Sequence, residues 1–334
     1  MEIKLNCVGN RSIGGGVDID FVGNINPKKE ILMRGTTISP NQTVTFNINN
    51  TYVPITSNDE GVFEITEGDK ELTTFSAANE AQLKTIDEFN YDTSKMGNMS
   101  YMFAGCINIE TLNLRNIETS NVTNMRAMFM GDYKLLNLDI GGFNTSNVTD
   151  MSYMFDSCEA LNALDISHFK TAKVITMSAM FNNCKKLKTL IINTFDTSNV
   201  EDMSSMFCNC HISNGIDLSN FNVQNVKDMS YMFNGFYGFT GSSSFLELTL
   251  TNFSTPNLTN ANGMFGKCSE VVVIDLLNID LSKVETMSRM FEGCSKLQIL
   301  RIKDETTVDK IKTQLKTDLN KTFRWNSSNY ALTL

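Results

Sequence analysis

The sequence predicts an α/β repeat solenoid, with a parallel sheet on one face and short helices on the other, preceded by a small all-β sandwich. Three observations carry that expectation. A Met-Phe pair recurs at Met102-Phe103, Met128-Phe129, Met154-Phe155, Met180-Phe181, Met206-Phe207, Met232-Phe233, Met264-Phe265 and Met290-Phe291, at a constant interval that is lengthened once, between Phe233 and Met264. Within each unit the hydrophobic period changes from that of a helix to that of a strand. Residues 1–68 lack the repeat and show short alternating segments between turns.

Residues 1–68 are read first. Ile3/Leu5/Cys7, Val17/Ile19/Phe21, Val44/Phe46/Ile48 and Val62/Ile65 mark strand-like segments. Gly14-Gly15-Gly16, Asn24-Ile25-Asn26-Pro27 and Ser57-Asn58-Asp59 punctuate them. Frequent short strands between turns predict a small, immunoglobulin-like β-sandwich serving as an anchor or assembly domain. The Gly14–Gly16 run lacks the Gly-Lys-Ser/Thr ending of a phosphate loop and reads as a turn. Residues 69–95 follow as a linker and N-terminal cap, in which Ser76 through Ile86 is expected to be helical. Leu83 and Ile86 already sit in the phase of the repeat.

Residues 96–303 form about eight units in which further columns keep the Met-Phe phase. Three residues before each pair stands Met99, Met125, Met151, Met177, Met203, Met229 or Met287, with Ala261 the exception. Three after each Phe stands Cys106, Cys158, Cys184, Cys210, Cys268 or Cys294, with Asp132 and Phe236 substituting. In one unit Val148, Met151, Met154-Phe155 and Cys158 trace a helical stripe, and Leu164-Asp165-Ile166 alternates as a strand. Such a unit is too small to bury its own apolar face, so stacking must close it. Strands stack at about 4.8 Å whereas packed helices need about 8–10 Å, so segregating the two predicts a curved stack.

Residues 304–334 leave the pattern and read as a C-terminal cap. Val308, Ile311, Leu315 and Leu319 predict an amphipathic helix, and Phe323, Trp325, Tyr330 and Leu332 a last apolar segment.

The unit NVTDMSYMFDSCEALNALDISHFKTAKV resembles those of the BspA-like bacterial surface proteins, in the subclass with 26-residue repeats carrying Met-x-x-Met-Phe, Cys-x-x-Leu and Asn/Asp-Thr-Ser-Asn-Val. The resemblance covers roughly residues 87–303. It implies a right-handed, leucine-rich-repeat-like solenoid of the kind found on microbial surfaces, used in adhesion or recognition and also carried by viruses and phages. It implies no catalytic residues.

Composition bounds the function. The 334 residues are 41% hydrophobic and 19% charged, values of a folded chain. A net charge of −9 and no Lys/Arg run beyond two residues argue against nucleic acid as a partner, because phosphate binding needs clustered cations. The N-terminus MEIKLNCVGNRSIGGG has no basic start followed by an apolar core, so no signal peptide is expected, and no stretch reaches the roughly 18 apolar residues of a membrane span.

Chemistry-bearing residues are few. One Cys per coil makes a line rather than a tetrahedral cluster, so reduced core thiols are expected and no metal or other cofactor. His168 and His211 lie in repeat columns and pair with no nucleophile, so no catalytic set is expected. Candidate partner contacts are three. Asp139, Asp165, Asp217 and Asp275 line the outward strand face. Tyr101, Tyr153 and Tyr231 recur on the opposite side. Phe236, Tyr237 and Phe239 sit in a Gly/Ser-rich insertion, where they either face solvent or fold back into the missing Cys slot.

The sequence thus predicts a non-catalytic interaction protein that presents a repeat surface to a protein or glycan. Its expected setting is a virion, as a fibre or decoration component made in the cytoplasm, with assembly partners meeting residues 1–68. A bacterial cell-surface adhesin is the alternative, and a metal protein or enzyme the third reading.

Overall fold

The structure, a computed structural model, describes residues 29–334 except 238–239, 243–244, 250–252, 303–306, 329 and 334, with backbone alone at 240–242 and 245–249. Two compact units are distinguished, Met1–Glu30 and Ile31–Leu334. The segments expected at Ile3–Cys7, Gly14–Gly16, Val17–Phe21 and Asn24–Pro27 lie outside the described residues.

The second unit begins with β1 (Met33–Thr37), β2 (Thr43–Ile48), β3 (Thr51–Thr56) and β4 (Val62–Ile65). Asn49 and Asn50 join β2 to β3 with φ of 49° and 64°, the left-handed pair that a tight two-residue hairpin requires. β5 (Phe75–Ser76) adds to β2, and β6 (Leu83–Phe89) pairs with β1. These strands do not form a sandwich closed off at residue 68. One sheet runs β4-β1-β6 and continues in parallel into β7 (Thr111–Asn113) and β8 (Asn137–Asp139).

The helix expected over Ser76–Ile86 is absent: Ser76 ends β5, residues 77–82 form turns, and Leu83–Ile86 open β6. Leu83, Ile86 and Phe89 are all buried at a spacing of three, which mimics a helical face. The pairing of β1 with β6 slips register between Arg34 and Gly35 and again between Thr36 and Thr37, and such slips reset the in-out alternation of a strand. β6 also opens the repeat: Ile86 pairs with Leu112, its counterpart one full period along the chain.

The solenoid continues through β9 (Ala163–Asp165), β10 (Thr189–Ile191), β11 (Thr240–Ser242), β12 (Phe245–Thr249), β13 (Val273–Leu276) and β14 (Ile299–Ile302). Leu112 faces Leu138, Leu164 faces Leu190 and Ile274 faces Leu300 in parallel register, so each coil lies one repeat period above the last. β11 turns back on β12 within the longer unit.

Opposite these strands, the expected short helices are absent among the described residues of the repeats. Two left-handed residues in every coil break them. The residue before each Met-Phe pair (Tyr101, Ala127, Tyr153, Ala179, Ser205, Tyr231, Gly263, Arg289) has φ between 53° and 60°. Four residues later, Gly105, Gly131, Ser157, Asn183, Asn209, Gly235, Lys267 and Gly293 have φ between 54° and 79°. A right-handed helix admits neither.

The backbone there divides its hydrogen bonds instead. Tyr101, Phe103 and Gly105 donate to Arg126, Met128 and Met130 of the next coil at 2.7–2.9 Å, while Ala104 and Cys106 donate locally to Tyr101 and Phe103 at 3.2 Å. Parallel bridges from Asn98–Asn124 through Asn260–Thr286 form a second ladder beside it. Both faces therefore stack through backbone hydrogen bonds at sheet spacing. The helix-against-strand mismatch that predicted curvature does not arise.

Packing follows that spacing. Phe103, Phe129, Phe155, Phe181, Phe207, Phe233, Phe265 and Phe291 stack in one file, with ring centroids 5.6–6.2 Å apart and planes within 17° of parallel. All eight rings are fully buried, each contributing about 1.5–3 kcal/mol by leaving water. A second internal ladder is polar. Thr171 Oγ1 donates to the carbonyl of Asp196 at 2.9 Å and accepts from the same residue's N–H at 2.8 Å. Thr93, Thr119, Thr145, Thr197 and Thr255 repeat the donated bond at 2.9–3.1 Å.

The array ends under α1 (Val308–Leu319), β15 (Arg324–Asn326) and β16 (Ala331–Thr333). Val308, Ile311 and Leu315 are buried, as the amphipathic pattern predicts. Asp318 accepts from the Phe291 N–H at 2.9 Å and Lys321 donates to the Ser295 carbonyl at 2.7 Å, fixing this segment to the last coil. β16 pairs with β14, and Trp325 packs partly buried against the core.

Candidate functional site

Five surface or column features carry chemistry, and the stack determines what each is free to do. On the strand face, Asp139, Asp165, Asp217 and Asp275 each accept the backbone N–H two residues ahead, at 2.9–3.1 Å. They close the turn after the strand. Asp139 also pairs with Arg115 at 2.8 Å and Asp275 with Arg301 at 3.3 Å. The Arg115 hydrogen bond holds the Asp139 carboxyl below the ordinary range, and bonds from Ser167 and Ser219 lower Asp165 and Asp217 likewise. Each carboxylate thus caps a turn, Asp139 and Asp275 are also ion-paired, and Asp165 and Asp217 stay exposed. Among the described residues no group of three or more His, Cys, Asp or Glu side chains is placed to hold a metal ion.

The cysteine column lies inside. Cys106, Cys158, Cys184, Cys210, Cys268 and Cys294 are buried thiols. Each donates to a backbone carbonyl of the preceding coil at 2.7–3.2 Å. Burial pushes the thiols of Cys106, Cys158 and Cys210 well up. Asp132 occupies the same column in the second coil with no exposed surface. Its Oδ1 accepts from the Cys106 N–H at 2.9 Å, its Oδ2 has no partner, and burial drives its carboxyl far above the ordinary value.

The tyrosines are only half available. Arg126 donates to the Tyr101 hydroxyl at 3.2 Å and to Ser152 Oγ at 2.6 Å, and its guanidinium sits 4.6 Å from the centre of the Tyr153 ring. Tyr231 lies across Gly263 of the next coil, where an added Cβ would come within 2.6 Å of the Tyr231 ring.

At the insertion, Phe236 is not an exposed contact. It is 1% exposed and packs on Phe207 and Phe233 with centroids 6.3 and 5.6 Å away, filling the slot where other coils place Cys. An apolar ring three residues after Phe233 is worth more inside the stack than in water. Tyr237 is exposed and meets His211 edge-on at 4.5 Å. Phe239 lies outside the described residues.

The fifth feature is a groove of about 660 Å³ across the first three coils. Tyr101, Ile107 and Tyr133 form its apolar walls, Gly105 and Gly131 part of its floor, and Asp156 with Ser157 one polar end. Asp156 accepts from Ser157 Oγ and Asn182 Nδ2 at 3.0 Å each, yet burial still raises its carboxyl. Of these residues sequence reasoning singled out Tyr101 alone. The missed signal lies in the column following Cys: Ile107, Tyr133, Glu159, Lys185, His211, Tyr237, Ser269, Ser295. It opens with two apolar residues where the third and fourth coils hold an ion pair at 2.6 Å.

A family model described as "Mycoplasma protein of unknown function, DUF285" matches residues 71–164, 157–245 and 236–328. These overlapping matches tile the solenoid and most of the chain. No curated protein and no solved structure matches it. Among the described residues no helix is long and apolar enough to cross a membrane.

Proposed function

The chain belongs to the family described as Mycoplasma protein of unknown function, DUF285, and on that footing we propose that it is a non-catalytic interaction protein whose stacked coils hold a fixed surface out to a partner. The observation that carries this reading is the division of labour among its side chains. Internal positions repeat from coil to coil and serve stacking, whereas the exposed columns vary. On the first three coils the variation sets Tyr101, Ile107 and Tyr133 around a groove, and further exposed apolar side chains, Ile175, Ile191, Tyr231 and Tyr237, follow along the array. A rigid array with a locally varied surface is the arrangement by which repeat proteins recognise partners.

The units are taken to be of the BspA-like, 26-residue type, and the setting to be an exterior. A virion part of the fibre or decoration type is the setting the sequence favours. The family's description names a Mycoplasma protein, which supports the second setting, an adhesin on a bacterial cell. Antibody labelling of intact cells and of purified virions separates them.

The proposal is tested by titrating the full chain onto intact host cells. Saturable binding is expected. Its absence, or turnover of a substrate by the purified chain, would overturn the reading.

A further inference from the structure

We propose that the groove across the first three coils is a carbohydrate site, taking a short neutral oligosaccharide through its pyranose faces. The inference deepens the reading of the chain as an interaction protein and rests on it.

The argument begins with where the surface turns apolar. Tyr101, Ile107, Tyr133 and Leu136 are 41%, 41%, 48% and 55% exposed, all within the first two coils. Leu136 shares a column with Glu110, Asn162, Lys188 and Asn214, as Ile107 and Tyr133 share theirs with Glu159 and Lys185. The third and fourth coils keep these positions polar, whereas beside the groove they are apolar; Tyr237 and Val272 are later apolar members of the same two columns. A localised apolar patch on a folded surface marks a contact site.

Shape supplies the second step. Gly105 and Gly131 stand in consecutive coils at the left-handed position that Asn183, Asn209 and Lys267 fill elsewhere. Neither position carries a side chain of its own; the Asn79 amide lies over Gly105, so the bare backbone of the floor is at Gly131. The resulting volume of about 660 Å³ lies within the range of small-ligand sites. A flat ring settles onto exposed backbone in such a slot, its C–H face against a tyrosine.

The polar inventory selects the ligand class. Asp156 supplies a desolvated acceptor, Ser157 and Asn79 neutral hydrogen-bonding groups, all lining the groove. Hydroxyl groups donate and accept at short range and match that mixture. An anionic ligand would meet Asp156 and a chain of net charge −9. A cationic one would find Asp156 as the groove's one carboxylate, and that group already accepts from Ser157 and Asn182. A neutral, polyhydroxylated ring is left.

The test immobilises neutral di-, tri- and tetrasaccharides, sialylated counterparts and an oligolysine peptide, and passes the full chain over them. Tyr133→Ala and Tyr237→Ala serve as variants, with thermal melts confirming that both remain folded. Saturable binding to a neutral saccharide is expected, weakened about tenfold or more by Tyr133→Ala, as for truncation of an aromatic hot spot, and unchanged by Tyr237→Ala. Saccharide binding indifferent to Tyr133→Ala overturns the site. Binding confined to sialylated sugars or to oligolysine overturns the ligand class. Host-cell binding without saccharide binding overturns this inference and leaves the proposed function standing. Loss of both overturns the two together.

Discussion

Asp132 places one carboxyl oxygen 2.9 Å from the backbone nitrogen of Cys106 in the preceding coil and leaves the other, equally buried, without a partner. In six other coils the same place holds a thiol that donates to a backbone carbonyl. The second coil therefore carries an acid where the stack accommodates a small, weakly polar donor.

Asp132→Cys removes the unpartnered oxygen and is expected to stabilise the chain by about 1–3 kcal/mol, the cost of a buried unpaired polar group. Asp132→Asn, by contrast, keeps two buried polar atoms and removes only the ionisable proton. Burial raises the folded-state carboxyl well above its unfolded value. Its contribution is then fully present below the unfolded value and is lost as pH rises toward the folded one. The melting temperatures of both variants should therefore rise relative to the parent's between about pH 4 and about pH 7, with Asp132→Cys keeping a pH-independent gain besides. A gap independent of pH would show that Asp132 ionises normally.

Gly131→Ala distinguishes a left-handed turn from a helix by sign alone. Were the segment helical, alanine would stabilise it by about 1 kcal/mol. At a φ of 79°, with the added Cβ no closer than 3.7 Å to any neighbour, the strain of a left-handed alanine is expected to destabilise by about 1 kcal/mol instead. Denaturant unfolding reads the difference.

Thr171→Val keeps the shape of the side chain and removes the hydroxyl that serves both backbone groups of Asp196. A loss of about 1–3 kcal/mol is expected, with faster exchange of the Asp196 amide. Unaltered exchange at that amide would mean that another group takes over.

Phe236→Ala and Tyr237→Ala are neighbouring truncations with different expected outcomes. The first empties a core position and should cost about 3–5 kcal/mol. The second alters an exposed ring and should stay within about 0.5 kcal/mol. Equal effects would mean that Phe236 does not occupy the core.

The period, the phase and the buried columns are legible in the sequence because stacking forces identical side chains into identical places. Met151, Met154, Phe155 and Cys158 read as core from their spacing and are core. That spacing of three and four misleads about the backbone, because successive turns closed by bonds to the third residue back place side chains on one side much as a helix does. The left-handed column of Tyr101, Ala127 and Arg289 gives no chemical hint of positive φ. The one at Gly105, Gly131, Asn183, Asn209 and Gly293 does, since Gly and Asn recur there. The groove is harder to read. It depends on two coils departing from their columns in the same direction, which shows only when the columns are laid side by side.

The sixth and seventh Met-Phe pairs, Met232-Phe233 and Met264-Phe265, are separated by the longest interval, yet Phe233 and Phe265 still stack at 6.0 Å with parallel rings, and Asp228 still bridges Asn260. The surplus chain leaves the register unchanged. The described part of the extra length, β11, pairs back on β12, so this storey carries an added strand while the file of rings runs on undisturbed. Such a scaffold lets new contact loops be tried one floor at a time, without rebuilding the floors above or below.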